Sequence, residues 1–193
     1  MIRKSFSNLQ RKVSLESLKL YSFNLRDKIP DITPKVTIDV MDYTRPLKLE
    51  NLKRETVEER TLYGDQIFVA CHKSKPVAYL FVATTRNRVC EIDDTLLIGS
   101  NEVYLYDAFT SADYRGNRIF PALISNAASF FKERSYSYAL IFVTSSNINS
   151  IRGVKRAGFS CYQSIHFYNF FGFKIWNYTA RSRYVQSRFS NED

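Results

Sequence analysis

Apolar positions along the chain change their period several times, and each change marks the boundary of an element. Leu9, Val13, Leu15, Leu18, Leu20 and Phe23 follow a roughly helical spacing, which predicts a helix within an N-terminal helical extension over residues 1–34. Pro30 and Pro34 then break the pattern, since each removes a backbone donor and fixes its own φ. Lys35–Met41 alternates and is rich in β-branched side chains, the mark of a strand. Leu47–Tyr63 is charged and helix-prone and reads as an exposed helix. Gln66–Cys71 and Val77–Ala83 read as strands on either side of a turn at His72–Pro76, and Val89–Ile98 and Glu102–Thr110 as two more about Gly99-Ser100-Asn101.

The second half has a cleaner rhythm. Ile119–Glu133 places Phe120, Leu123, Ile124, Ala127, Phe130 and Phe131 at helical spacing. Tyr138–Thr144 is a short uninterrupted apolar run, as expected of a strand buried on both faces. Ser150–Arg156 reads as a short helix ended by Gly158, with Phe159–Tyr168 and Lys174–Thr179 as closing strands. Hairpins followed by a strand–helix–strand unit predict one α/β domain. A length of 193 residues with 45% apolar side chains supports one core and excludes a disordered chain.

A net charge of +9 raises the question of nucleic acid, and its distribution answers much of it. The excess collects at the ends: Arg3, Lys4, Arg11, Lys12, Lys19, Arg26 and Lys28 on one side, Lys174, Arg181, Arg183 and Arg188 on the other. No block of consecutive like charges forms a basic tail, so a solvated surface explains the charge better than a surface for an anionic ligand or membrane does. Cys71, Cys90 and Cys161 are far apart, with no CxxC pair and only His72 and His166 beside them, so no metal site is expected. They read as free buried thiols of a reducing compartment. Ser7, Asn8, Gln10 and Arg11 interrupt any apolar leader, and no apolar run approaches the roughly 18 residues of a membrane helix, so the expected location is cytoplasmic.

The chemistry gathers between Tyr104 and Phe159. A strand runs into Ser111-Ala112-Asp113, then Tyr114-Arg115-Gly116-Asn117-Arg118, then the long helix with Pro121 in its first turn. Gly116 and Asn117 tolerate positive φ, so backbone N–H groups there are expected to converge. Open N–H groups at a helix start, with Arg115 and Arg118 beside them, suit a phosphate or pyrophosphate. The loop resembles the acyl-CoA pyrophosphate loop of the GNAT superfamily of N-acetyltransferases, Arg/Gln-x-x-Gly-x-Gly/Ala after a strand. Arg115 matches its first position; Arg118 stands where the family usually has Gly, and Phe120 where it has Gly or Ala. Asn147-Ile148-Asn149-Ser150 and Gly158-Phe159 are similar to the family's Asn-x-x-Ala/Ser…Tyr…Gly-Phe segment, with Val154 in place of the Tyr.

The resemblance implies a single GNAT-like domain. Its mixed, mostly antiparallel sheet would have two splayed central parallel strands flanked by helices, with an acyl-CoA-binding core over 102–160. Acetyl-CoA, the implied donor, would lie in the gap between strands 102–110 and 138–144. Its pantetheine arm would add to the strand edge at Ala108, Phe109 and Thr110. Its pyrophosphate would rest on Arg115, Gly116, Asn117, Arg118, Ile119 and Phe120, with Asn147 and Ser150 lining the adenine side.

Direct acyl transfer needs a deprotonated amine, an oxyanion donor and a proton for the leaving thiolate. Val154 cannot supply the last. Asp107 and Glu91 are candidate bases and Tyr106 a candidate for polarising the carbonyl or acting through water, although a satisfied polar residue at a sheet surface is the simpler account of each. As sequence neighbours on a strand, Tyr106 and Asp107 should face opposite sides, so at most one should face the site. The aromatic run Phe167–Tyr178 fits either core strands or an acceptor cleft. The runs at Arg115–Leu123 and Ser150–Gly153 resemble GNAT proteins of cell-surface saccharide biosynthesis, which makes an amino sugar the first acceptor class. The implied partners are thus acetyl-CoA and a small amine, without specific nucleic acid or a membrane span, and with a homodimer left open. Two other readings stand beside this enzyme: a GNAT-fold regulatory protein that binds acyl-CoA without turnover, and a nucleic-acid-binding module.

Overall fold

The computed structural model describes residues 13–42, 53–179 and 183–192. The first half runs β1 (Val13–Asn24), β2 (Asp39–Asp42), α1 (Arg54–Leu62), β3 (Gln66–His72), β4 (Lys75–Ala83), β5 (Arg86–Val89) and β6 (Asp94–Leu97). The second runs β7 (Glu102–Thr110), α2 (Ile119–Glu133), β8 (Tyr138–Thr144), α3 (Ile148–Arg156), β9 (Ser160–Phe170), β10 (Phe173–Tyr178) and β11 (Arg188–Phe189). One large sheet has the order β10-β9-β1-β8-β7-β4-β3-β2, and a small one the order β11-β6-β5. Among the described residues every pairing is antiparallel except β7 with β8. This is the mixed α/β sheet expected.

The two faces of the large sheet carry different covers. Leu105 and Ile141 pack under Leu123, Ile124 and Ala127 of α2, with Val154 of α3 in the same core. On the opposite face Leu18, Leu20 and Leu140 pack with Ile92 and Leu96 of the small-sheet region. Ile67, Val69 and Phe81 form a third cluster on that side, with Val57 of α1 against it. No helix among the described residues is long and apolar enough to cross a membrane.

Several sequence expectations are corrected. The helix over 9–23 is strand β1 from Val13 onward, and residues 9–12 lie outside the described residues. Leu18 and Leu20 serve one face of the sheet while Tyr21 and Phe23 serve the other. A strand buried on both faces loses its simple alternation, and its apolar positions imitate a helix; pairing with β8 and β9 decides the outcome. Of Lys35–Met41 only the part from Asp39 is paired, because Lys35 instead gives its backbone N–H to Asn117 (2.9 Å). Of the exposed helix expected over Leu47–Tyr63, Arg54–Leu62 is helical, and residues 47–52 lie outside the described residues. Val89–Ile98 is not one strand. Asp93, at φ 50°, reverses the chain after a short 3₁₀ turn at Cys90–Ile92 and makes β5 and β6 a hairpin. Only Cys71 is a buried thiol; Cys90 and Cys161 are exposed.

The feature that opens the molecule lies in β7. Pairing with β8 covers only Glu102–Leu105 against Tyr138–Ile141, while both strands continue beyond it. On its other edge Tyr79 pairs with Phe109 and Phe81 with Tyr106, so Leu80 alone stands opposite Asp107 and Ala108. That is a β-bulge, with Asp107 at φ 44°. A bulge bends its strand, and β8 stays paired with β1 out to Thr144, so β7 and β8 part from Tyr106 and Phe142 onward.

Candidate active site

Beside the bulge, on the face away from α2, is a cavity of about 720 Å³. Thr56, Glu59 and Arg60 wall it from α1, with Tyr63 just after that helix, and Arg86, Asn87 and Arg88 from β5. Cys90, Glu91 and Thr95 close the rim, and Asp65, Tyr104, Tyr106 and Asp107 form the floor. Tyr106 and Asp107 therefore line the same cavity, contrary to the alternation rule. The left-handed conformation at Asp107 turns that side chain back onto its neighbour's side.

Arg60 organises the floor. It is ion-paired with Asp107, and its guanidinium lies 4.5 Å from the Phe81 ring centroid and 5.1 Å from that of Tyr106. This arrangement ties α1, which has no buried residue of its own, to β4 and β7. Tyr104 and Tyr106 stack at 5.7 Å with their planes 13° apart. The Tyr106 hydroxyl donates to Asp65, which is only 8% exposed. Burial raises the Asp65 carboxyl above its ordinary value, and the Tyr106 hydrogen bond and the Arg60 charge offset part of that rise. Burial also pushes the Tyr104 and Tyr106 phenols well above the usual tyrosine range, with the bond to Asp65 adding to it at Tyr106. Tyr79 is pushed up to about 12, by burial first and by the charge of Asp107 second.

The other side of the bulge faces the gap between the parting strands. There Ala108, Phe109 and Thr110 have no partner in β8. After them Arg115 turns its side chain back, Nε donating to the Thr110 carbonyl at 3.0 Å. Positive φ falls on Gly116 (78°) and Arg118 (62°), not on Asn117 as expected. Asn117 is held otherwise: its side-chain amide donates to the Tyr114 carbonyl (3.1 Å), and its own carbonyl takes the Lys35 N–H. Arg118 is the N-cap residue of α2 and makes no side-chain cap bond to the helix. A Cβ at Gly116 would meet nothing within 4 Å. The side chains of Ile119 and Phe120 point the other way. Ile119 is 1% exposed in the core, and Phe120 lies against Gly153 of α3.

At α3, Asn147 is the N-cap, its Oδ1 accepting from the Ser150 N–H at 3.1 Å. Val154, at the position of the family's Tyr, is fully buried. Glu91 stands exposed on the cavity rim. His72 and His166 lie away from the cavity lining. His72 Nδ1 is 2.7 Å from the Thr37 carbonyl, and His166 sits in β9 between β1 and β10. Of the sequence candidates the structure thus gathers Tyr106, Asp107 and Glu91 about one cavity and leaves Ala108, Phe109 and Thr110 without a β8 partner, while the side chains of Ile119 and Phe120 turn inward. Sequence reasoning missed Arg60, Asp65 and Asn87. They belong to no motif, and Asp65 reaches Tyr106 across 41 positions of chain; the one local signal was an acid directly after Gly64 at a helix end.

The arrangement bears comparison with known proteins. Among solved structures, a GCN5-related N-acetyltransferase from Sphaerobacter thermophilus superposes with a TM-score of 0.58 at 12% identity, covering 88% of this chain and 55% of its own. A GNAT-family acetyltransferase from Colwellia psychrerythraea gives 0.58 at 11% identity, covering 88% and 61%. A fungal multi-domain GH3 β-N-acetylglucosaminidase, described as containing a GCN5-related glucosamine N-acetyltransferase region, gives 0.56 at 16% identity, covering 87% and 23%. At these identities the likeness shows the fold, and the chain spans less than two thirds of the length of each. Among curated proteins no relative is found. The model of the acetyltransferase (GNAT) family matches residues 37–159, more than half of the chain. Bulged strand, parting parallel neighbour and uncapped helix start all fall inside that match, and the chain belongs to the GNAT acetyltransferase family.

Proposed function

We propose that the protein is an acetyl-CoA-dependent N-acetyltransferase acting on a small polar primary amine, with an amino sugar as the acceptor class. The observation that carries this reading is the bulge at Asp107, which has a donor gap on one side and a polar cavity on the other. The residues present fit an acyl-CoA. The free edge of β7 at Ala108–Thr110 suits the two-way hydrogen bonding of a pantetheine arm. The uncapped N–H groups of α2, the open space at Gly116, and Arg115 with Arg118 suit a pyrophosphate. Asn147 contributes through the α3 start that it caps, where Ser150 sits in the first turn. Acetyl-CoA, when bound, supplies the activated acetyl group, and the chain's residues orient it and handle protons.

The acceptor reading rests on the cavity lining. Thr56, Thr85 and Thr95 offer hydroxyls, Glu59 and Glu91 carboxylates, and Val89 is its one aliphatic side chain. Such a surface suits a hydroxyl-bearing amine better than an apolar one. The glucosamine acetylation ascribed to the fungal region with the same fold agrees with that class.

Acetyl-CoA is expected to raise the melting temperature, and thiol release is expected with an amine panel that includes glucosamine. Arg115→Ala is expected to weaken acetyl-CoA binding roughly tenfold, as loss of one charge-assisted contact implies. No melting shift in the wild type, or unchanged affinity in the variant, removes the loop from the site.

A further inference from the structure

We propose that Asp65 is the proton acceptor of this site and that it receives the proton through the Tyr106 hydroxyl; the inference rests on the acetyltransferase reading above. Two carboxylates stand on the cavity floor in different company. That of Asp107 is committed to Arg60. That of Asp65 is almost wholly buried, faces the cavity and carries the Tyr106 hydroxyl. Tyr106 directly follows Leu105, the last residue of β7 paired with β8, so it stands where the strands begin to part. The Asn87 side chain of β5 also reaches its phenol, which fixes the ring from a second element.

The charges around Asp65 leave it available. Arg60 from α1 and Tyr106 from β7 face it directly; Glu59, Arg86, Arg88, Glu91 and Asp107 lie round the same cavity. Arg60 is ion-paired with Asp107 and Arg88 with Asp93, so neither of these guanidiniums is ion-paired with Asp65. Burial raises the Asp65 carboxyl, which makes it a stronger base than a solvated aspartate once ionised. The raised phenol keeps Tyr106 protonated, as a relay requires.

The proton count closes. An acceptor ammonium gives one N–H proton to Tyr106 Oη while the hydroxyl proton passes to Asp65 Oδ2. The phenol ends as it began, the amine is left neutral with its lone pair free for the acyl carbon, and Asp65 becomes a carboxylic acid. One positive and one negative charge vanish together, which the burial of Asp65 favours. Asp65 returns its proton to water after the product leaves.

The test measures kcat/KM against pH for wild type, Asp65→Asn, Asp65→Glu and Tyr106→Phe, with the best acceptor from the amine panel. Asp65→Asn is expected to lose about 10²–10⁴-fold in kcat/KM. It should also lose the acid limb of the profile while keeping wild-type acetyl-CoA affinity. Asp65→Glu should restore that limb in part, and Tyr106→Phe should fall without loss of acetyl-CoA binding. An Asp65→Asn protein with wild-type rate and acid limb overturns the relay. If that variant has no cooperative melting transition, Tyr106→Phe decides, and an unaltered profile there overturns it equally. Acetylation by wild type with either of these results leaves the acetyltransferase reading standing. No acetylation of any amine removes both.

Discussion

Arg118 holds φ at 62°, a conformation that costs a residue with a Cβ about 1–2 kcal/mol. The position has to be left-handed because the chain must turn from the Gly116 loop into α2 there, and the family's usual glycine does so freely. Arg118→Gly is therefore expected to stabilise the protein by about 0.5–1 kcal/mol in urea unfolding, after allowance for the greater freedom of the unfolded chain. The tyrosines make a second prediction at this scale. Tyr79, raised to about 12, and Tyr104, Tyr106 and Tyr178, raised further by burial first, stay un-ionised where unfolded tyrosine, near 10, has lost its proton. Above about pH 10 the folded state then binds more protons than the unfolded state, so stability is intact below that pH and falls as pH rises toward 12. Melting curves across that range should show the fall, and a phenolate absorbance titration should show a late-titrating group of tyrosines; one uniform transition near 10 would contradict this.

One departure from the family pattern, Phe120, is accommodated where α2 meets α3. Phe120 is large where a small residue is usual, and Gly153 opposite it leaves room: a Cβ there would come within 2.7 Å of the Phe120 ring. Gly153→Ala should therefore destabilise by about 1–3 kcal/mol despite its better helix propensity. The loss should shrink in the Phe120→Ala background, a coupling that a double-mutant cycle in denaturant measures. Elements with one clear period were legible in the sequence. α2 and β8 have the expected bounds because one has an apolar stripe and the other an unbroken apolar run. β1 was not legible, since both its faces are buried and only distant strands select its conformation. The turn before α2 carried a local signal in Gly116, which takes the positive φ (78°) that glycine allows. The bulge could not be read, because register between β4 and β7 puts Asp107 beside Tyr106, and nothing in the two residues themselves says so.

At the scale of the molecule the C-terminal segment is tied back to the start of β7. Glu102, 1% exposed, accepts from the backbone N–H of Gln186 (2.6 Å) and Ser187 (2.7 Å) and from the Ser187 hydroxyl. Val185 and Phe189 are buried alongside, and Asp94 accepts from the Ser190 hydroxyl and Tyr178. Glu102→Ala would strand those donors, each bond to a charged group being worth about 1.5–3 kcal/mol, and is expected to free residues 183–192 to proteolysis first. Uniform protection of that segment in the variant would show that Val185 and Phe189 hold it unaided.

The central place of β1 has a consequence in time. Its two neighbours, β8 and β9, are made long after it; Ser17 and Ser145, joined by their hydroxyls, lie 128 positions apart. At about 5–20 residues per second of synthesis, β1 waits roughly 6–25 s for that first partner. Throughout the wait both its edges are open and Leu18, Leu20, Tyr21 and Phe23 have nothing to cover them. Nascent chains arrested before β9 should accordingly depend on holding chaperones and aggregate without them. The sheet acquires its middle only once β8 and β9 have both been made.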